Sequence, residues 1–241
     1  MKKLAIVIFT FPRDYAVARR ARDCALDRWE RTGLEAPDVI FAVHERDAES
    51  ARKALLPVPA TDPHVSVIAH AFDAGGSLRW SEAVHGMRGV FRRVFADAAH
   101  YDAVLKLDSD TQLLRPEAFT SPVRDCGVGF VAVRRFMADS TTLGSAPKER
   151  PVPNLCNGCA YLLTRDAFAA IDAAPPAVWD HALHLARGHE DMTFSHLATN
   201  CDGVFFAQIA KPLCVFDSAT QTITADTVYV QEPSVVPAGK S

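Results

Sequence analysis

Two acids one residue apart, Asp108 and Asp110, close the apolar run Ala103-Val104-Leu105-Lys106-Leu107. In an extended backbone the side chains at i and i+2 point to one side, and a turn after the strand can also aim both at one point. Paired carboxylates repel unless a cation sits between them. A divalent ion that keeps some positions for phosphate oxygens relieves that repulsion, and many enzymes hold a diphosphate in this way. The same residues also suit an ordinary Asx-rich turn, so the rest of the chain decides.

A second acidic pair, Glu190-Asp191, follows Gly188-His189 and opens a helical pattern. There it complements the helix dipole, and there a carboxylate is held ionised, ready to accept a proton. Gly75-Gly76-Ser77-Leu78-Arg79-Trp80 allows close backbone approach to a ligand, with Arg79 for a phosphate or base and Trp80 for stacking; it also reads as a turn before a helix capped by Ser81. Cys156-Asn157-Gly158-Cys159 has redox or zinc spacing, but no second pair completes a zinc set, so ordinary thiols are expected. His181, His184, His189 and His196 also lack a completing ligand and read as surface or structural residues.

These groups need a scaffold. The chain has 241 residues, 49% of them hydrophobic, which suffices for a large core. A net charge of −3 from 26 basic and 29 acidic residues, with no basic run longer than a pair, argues against nucleic acid as the main partner. The apolar start, Leu4–Phe11, runs into Pro12-Arg13-Asp14 without a cleavage site and reads as a buried strand rather than a signal peptide. No run reaches the roughly 20 apolar residues of a membrane span, so a cytoplasmic protein is expected.

Strands over Leu4–Phe11, Asp38–His44, Val65–Ala71 and Asp102–Leu107 alternate with helical patterns over Pro12–Arg31 and Ser81–Ala96. That alternation predicts an α/β fold with a mostly parallel central sheet flanked by helices, and ligands beyond the strands' carboxyl ends. Further strands are expected at Val128–Val133, Ala160–Leu163, Val204–Ala210 and Pro212–Phe216. A helix is expected over Arg165–Ala173, ended by Pro175-Pro176. Ala138–Asn154 reads as a long loop and residues 232–241 as a mobile tail. One domain over 1–231 is expected, divided into halves at 1–115 and 116–231.

In order and spacing these segments resemble the GT-A-fold, nucleotide-sugar-dependent glycosyltransferases, of the family-2 type. The residues that carry the resemblance are Ile6-Val7-Ile8-Phe9-Thr10-Phe11-Pro12-Arg13, Leu107-Asp108-Ser109-Asp110, Asn157-Gly158 with the following Ala160-Tyr161-Leu162-Leu163 and Arg165-Asp166-Ala167-Phe168, and Gly188-His189-Glu190-Asp191. The resemblance implies a Rossmann-related GT-A domain that moves a sugar from a UDP- or GDP-linked donor to an acceptor hydroxyl on a glycan, lipid-linked sugar or small molecule, with inversion. It implies Mn²⁺ or Mg²⁺ on the DxD pair Asp108 and Asp110. Donor contacts would come from Thr10, Phe11, Arg13, Arg79, Asp108, Ser109 and Asp110, and the acceptor side from Asn157 and Gly158. Asp191, with Glu190 second, would be the catalytic base. Such enzymes often take a third metal ligand near the C-terminus, for which Asp217 or solvent is the candidate here. The alternatives are a catalytically inactive nucleotide-binding scaffold of the same fold, a haloacid-dehalogenase-type phosphatase, and a nucleotidyltransferase. The phosphatase motif wants Thr or Val where Gln112 stands and belongs on a first strand. The nucleotidyltransferase wants glycines that Thr10–Arg13 lacks.

Overall fold

The computed structural model describes residues 3–56, 64–71, 80–97, 101–126, 130–133, 158–209, 214–215 and 221–231. Arg79, Asn157, the 138–154 loop, Asp217 and the 232–241 tail lie outside these.

β1 (Leu4–Phe9) is buried at every position, as a strand covered on both faces must be. It pairs in parallel with β2 (Asp38–His44) on one side and with β4 (Ala103–Asp108) on the other, and β2 pairs in parallel with β3 (Val65–His70). Beyond β4 lie β7 (Ala160–Thr164), β6 (Phe130–Val133) and β8 (Phe206–Ile209), giving a seven-stranded sheet ordered β3-β2-β1-β4-β7-β6-β8. β7 is antiparallel to both its neighbours, and β6 and β8 pair in parallel. The sheet is therefore mostly parallel with one reversed strand.

The two sheet faces carry two cores. Leu4, Ile6 and Ile8 pack with Ala18, Ala21, Ala25 and Trp29 of α1 (Tyr15–Glu30), whose small residues let the helix lie close to the sheet. Ala5, Val7 and Phe9 pack with Val84, Phe91 and Val94 of α3 (Trp80–Ala96) and with Phe168 of α5 (Arg165–Asp172), Trp179 of α6 (Pro176–Leu185) and Phe194 of α7 (Glu190–Asn200). Phe91 is the hub of that layer, with ring centroids 5.8–6.5 Å from those of Phe9, Tyr161, Phe168 and Phe194. Among the described residues no helix is long and apolar enough to cross a membrane.

Three features depart from the sequence expectation. Pro12–Asp14 forms a 3-10 turn, so α1 starts at Tyr15. Pro175-Pro176 ends one helix and also starts the next, Pro176 being the first residue of α6; a residue with no N–H to offer fits a first helical turn as well as a stop. A second, three-stranded sheet joins β5 (Thr111–Leu113), β10 (Tyr229–Gln231) and β9 (Cys214–Val215). α2 (Ala48–Leu55) follows β2 and packs beside β2 and β3, and α4 (Glu117–Cys126) follows β5 and lies beside β6 and β7.

Candidate active site

β1 has β2 on one side and β4 on the other, so the chain changes direction across the sheet between β1 and β4. A crevice opens beyond the carboxyl ends at such a point. Thr10 follows β1 there, and Asp108 ends β4 opposite Phe9. Because β7 runs the other way, its beginning rather than its end reaches this crevice. Leu107 pairs with Ala160, and the Asp108 N–H donates to the Cys159 carbonyl at 3.0 Å. Gly158 is thereby brought beside the acidic turn.

The strand ends at Asp108 and β5 begins at Thr111, so the intervening turn, not strand alternation, aims Asp110. Asp110 accepts a hydrogen bond from the Gln231 side chain of β10, and the Gln231 carbonyl oxygen of that amide accepts from the Cys159 thiol. Burial, then the charge of Asp108, push the Asp110 pKa up to about 6.

The second acidic pair arrives from the far side. After α6 the chain reverses through Arg187 (φ 50°) and Gly188 (φ 73°), both in the left-handed region that glycine tolerates best. The Gly188 N–H reaches back to the Leu183 carbonyl at 2.9 Å, and α7 starts at Glu190. Asp191 is 7% exposed and accepts the Met192 N–H at 2.8 Å. Glu190, its side chain 14% exposed, accepts the Tyr161 hydroxyl. Burial raises the Glu190 pKa to about 7, with Asp191 and Asp108 adding to the rise while Lys106 and Tyr161 oppose it. A Cβ at Gly158 would stand 3.4 Å from Glu190 Oε2 and 3.8 Å from Asp191 Cβ, so the glycine keeps the space before both acids open.

Lys106 joins the two acidic groups. It is 2% exposed, with Nζ 2.6 Å from Asp108 Oδ1 and 3.9 Å from Glu190 Oε2, and it donates to the Gly158 carbonyl. Burial would lower its pKa, but Asp108 and Glu190 together raise it, so the ammonium stays charged. Lys106, Tyr161 and Gln231 were not singled out from sequence. A lysine inside an otherwise apolar strand was the legible signal, since a buried charge demands a partner.

At the carboxyl end of β1, Thr10 is 1% exposed, its N–H donates to the Ala42 carbonyl, and its Oγ1 has no hydrogen-bond partner among the described residues. Ser109 is buried next to Asp108. Phe11 precedes the 3-10 turn, and Arg13 is exposed, 3.6 Å from Asp14. His44 and His70, in register on β2 and β3, and Phe9 form a ring cluster at the same sheet edge, with centroids 6.1 and 6.3 Å apart. The structure thus gathers Thr10, Asp108, Ser109, Asp110, Gly158, Glu190 and Asp191 at one end of the sheet.

Asp108 gives one oxygen to Lys106 and keeps the other, while Asp110 ionises reluctantly beside it. That pair fits a hard divalent cation, which takes one or two carboxylates and leaves other positions to water and phosphate. Among the described residues no group of three or more His, Cys, Asp or Glu could enclose a metal. The rings of His181 and His196 meet edge to face, with centroids 5.7 Å apart. Among the described residues, Cys24, Cys159, Cys201 and Cys214 form no disulfide.

No family model and no curated protein sequence matches the chain. Two solved structures align over nearly its whole length. One is a glycosyltransferase involved in the glycosylation of the major capsid of PBCV-1, at TM-score 0.51 and 12% identity, covering 99% of this chain and 94% of that one. The other is mouse xyloside xylosyltransferase 1 in its apo form, at TM-score 0.55 and 13% identity, covering 96% and 97%. At such identities the likeness speaks for architecture, and function must be argued from the site. With this strand order and these two alignments, the chain has a GT-A-type glycosyltransferase fold.

Proposed function

We propose that the protein transfers a sugar from a UDP- or GDP-linked donor to an acceptor hydroxyl, metal-assisted and with inversion. The observation that supports this is the convergence of Asp108-Ser109-Asp110 and Glu190-Asp191 on one crevice, bridged by Lys106, whose Nζ lies 2.6 Å from Asp108 Oδ1 and 3.9 Å from Glu190 Oε2. Mn²⁺ or Mg²⁺ held by Asp108 and Asp110 would supply charge stabilisation for the leaving diphosphate.

The chain's own residues would do the rest. Thr10 Oγ1, buried and without a partner among the described residues, offers a hydrogen bond to the donor. Gly158 leaves room for the acceptor before Glu190 and Asp191. Glu190 is engaged by Tyr161 and faces Lys106, so the base is assigned to Asp191, with Glu190 second. The Met192 N–H, in the first turn of α7, donates to Asp191 Oδ1 and orients that carboxylate. The acceptor oxygen would bond to the anomeric carbon as the carbon–phosphate-oxygen bond breaks. The electron pair leaves with the diphosphate and the hydroxyl proton passes to Asp191.

The test is calorimetric titration with UDP and GDP, with and without Mn²⁺, in wild type and Asp110→Asn. Metal-dependent nucleotide binding that Asp110→Asn weakens at least tenfold is expected. A wild type that binds neither nucleotide, or an Asp110→Asn that binds like wild type, overturns the reading.

A further inference from the structure

Lys106 sits on the β4 face whose neighbouring position, Val104, belongs to an apolar core. Its cross-strand partner is Tyr161, and Nζ lies 5.7 Å from that ring's centroid. Burying an ammonium is costly unless it is well paired, and an apolar side chain of similar size is often the more stable choice. Asp108 does not require the lysine for its own solvation, because its side chain is 37% exposed. An ammonium has three donors. Here one goes to Asp108, one to the Gly158 carbonyl, and the remaining direction faces Glu190. Tyr161 completes a closed circuit by donating to Glu190 from directly across the strand pair. The two acidic motifs therefore share one buried cation although they come from different elements.

We propose that Lys106 is the positioning residue of the site, its ammonium shared between Asp108 on the donor side and Glu190 on the acceptor side so that the spacing of the two acidic groups is fixed. This rests on the transfer reading given above. Through the Asp108 contact the lysine orients the carboxylate's other oxygen toward the diphosphate. Through Glu190 and Gly158 it holds the first turn of α7, and with it Asp191, against the start of β7.

Lys106→Met keeps the length of the side chain and removes the charge. Lys106→Gln, which can still donate to the Gly158 carbonyl, serves as the second variant should the methionine chain fail to fold. Two readouts separate a positioning role from a merely structural one. The first needs no metal or nucleotide: amide exchange at Met192 and Thr193 should quicken at least tenfold in the variant, with β1 amides unchanged. The second is kinetic. kcat should fall about 100-fold, the scale of a small misplacement of reacting groups. The loss should not multiply with that of Glu190→Gln in the double variant, because both changes cut the same link. Unchanged exchange in α7, or losses that multiply fully in the double variant, overturns the proposal. If the wild type transfers no sugar from any UDP- or GDP-linked donor, the transfer reading fails, and the exchange result alone decides whether Lys106 couples β4 to α7.

Discussion

Glu190 makes a quantitative prediction about stability. Its pKa rises from 4.5 to about 7 on folding, first because it is buried. The native state then holds the proton more tightly than the unfolded chain. The stability that this confers is fully present below about pH 4.5 and is lost as pH rises through about 7. At about 1.4 kcal/mol per pH unit, the loss is about 3 kcal/mol. Asp110 acts in the same direction over a lower range, since its pKa rises to about 6, but its partial exposure reduces the effect. His196 opposes both: burial and His181 lower its pKa, so its contribution grows as pH rises through its ordinary value of 6.5. Asp38 and Asp172, whose pKa values are lowered, act only in the acid range. The Glu190 share is isolated by comparison with Glu190→Gln, which resembles the protonated acid at every pH. Urea unfolding of both proteins without metal at pH 4.5, 6, 7 and 8 should show the wild type losing about 3 kcal/mol relative to the variant across the series. For a chain of this size that corresponds to roughly 6–12 °C in Tm. A gap that stays constant within about 0.5 kcal/mol would show that Glu190 titrates normally and is not held as described.

Asp191→Asn should lower kcat about 100-fold, the usual scale for a lost general base, while nucleotide affinity from titration calorimetry stays within about twofold; weakened nucleotide binding with kcat intact would make Asp191 a ligand. Thr10→Val replaces a buried hydroxyl, without a partner among the described residues, with a methyl group, so stability should hold or rise by about 1 kcal/mol. Its donor KM should rise roughly tenfold in steady-state assays, and an unchanged KM removes Oγ1 from the donor contacts. Arg88 lies 2.5 Å from Asp172 Oδ1 and 4.0 Å from the Trp179 ring centroid, tying α3 to α5 and α6. Arg88→Ala should cost about 2–3 kcal/mol in chemical denaturation, and a cost below about 1 kcal/mol would mean that the apolar contacts alone hold these helices together.

The parallel half of the sheet was legible because a strand buried on both faces must be a near-continuous apolar run, and Leu4–Phe9 and Asp38–His44 are such runs. The position of Asp108 at a carboxyl end followed from the same pattern. The small sheet was legible only at β9, which lies within the strand expected at Pro212–Phe216. β5 and β10 have three residues each and are joined by pairing Thr111 with Gln231, so neither carries a period of its own. α4 was hidden by Pro122, a helix breaker that the structure accommodates inside the helix. Both acidic pairs could be named from their neighbours in sequence. Their meeting could not, because it depends on the reversed β7 and on the left-handed turn at Arg187-Gly188. Lys106 was visible and passed over, as a single charge in an apolar run carries no clue to which acids will surround it.

The pairing of β5 with β10 sets an order of events during synthesis. Thr111 leaves the ribosome about 120 residues before Gln231. At about 5–20 residues per second, the strand after the acidic turn waits on the order of ten seconds for its partner. Through that interval Asp110 lacks the side chain that hydrogen-bonds it, although every residue of the parallel half is already made. The nascent chain can thus hold all of its first four strands well before it acquires a finished crevice. A nascent chain that stalls before Tyr229 would lack the Gln231 side chain that hydrogen-bonds Asp110.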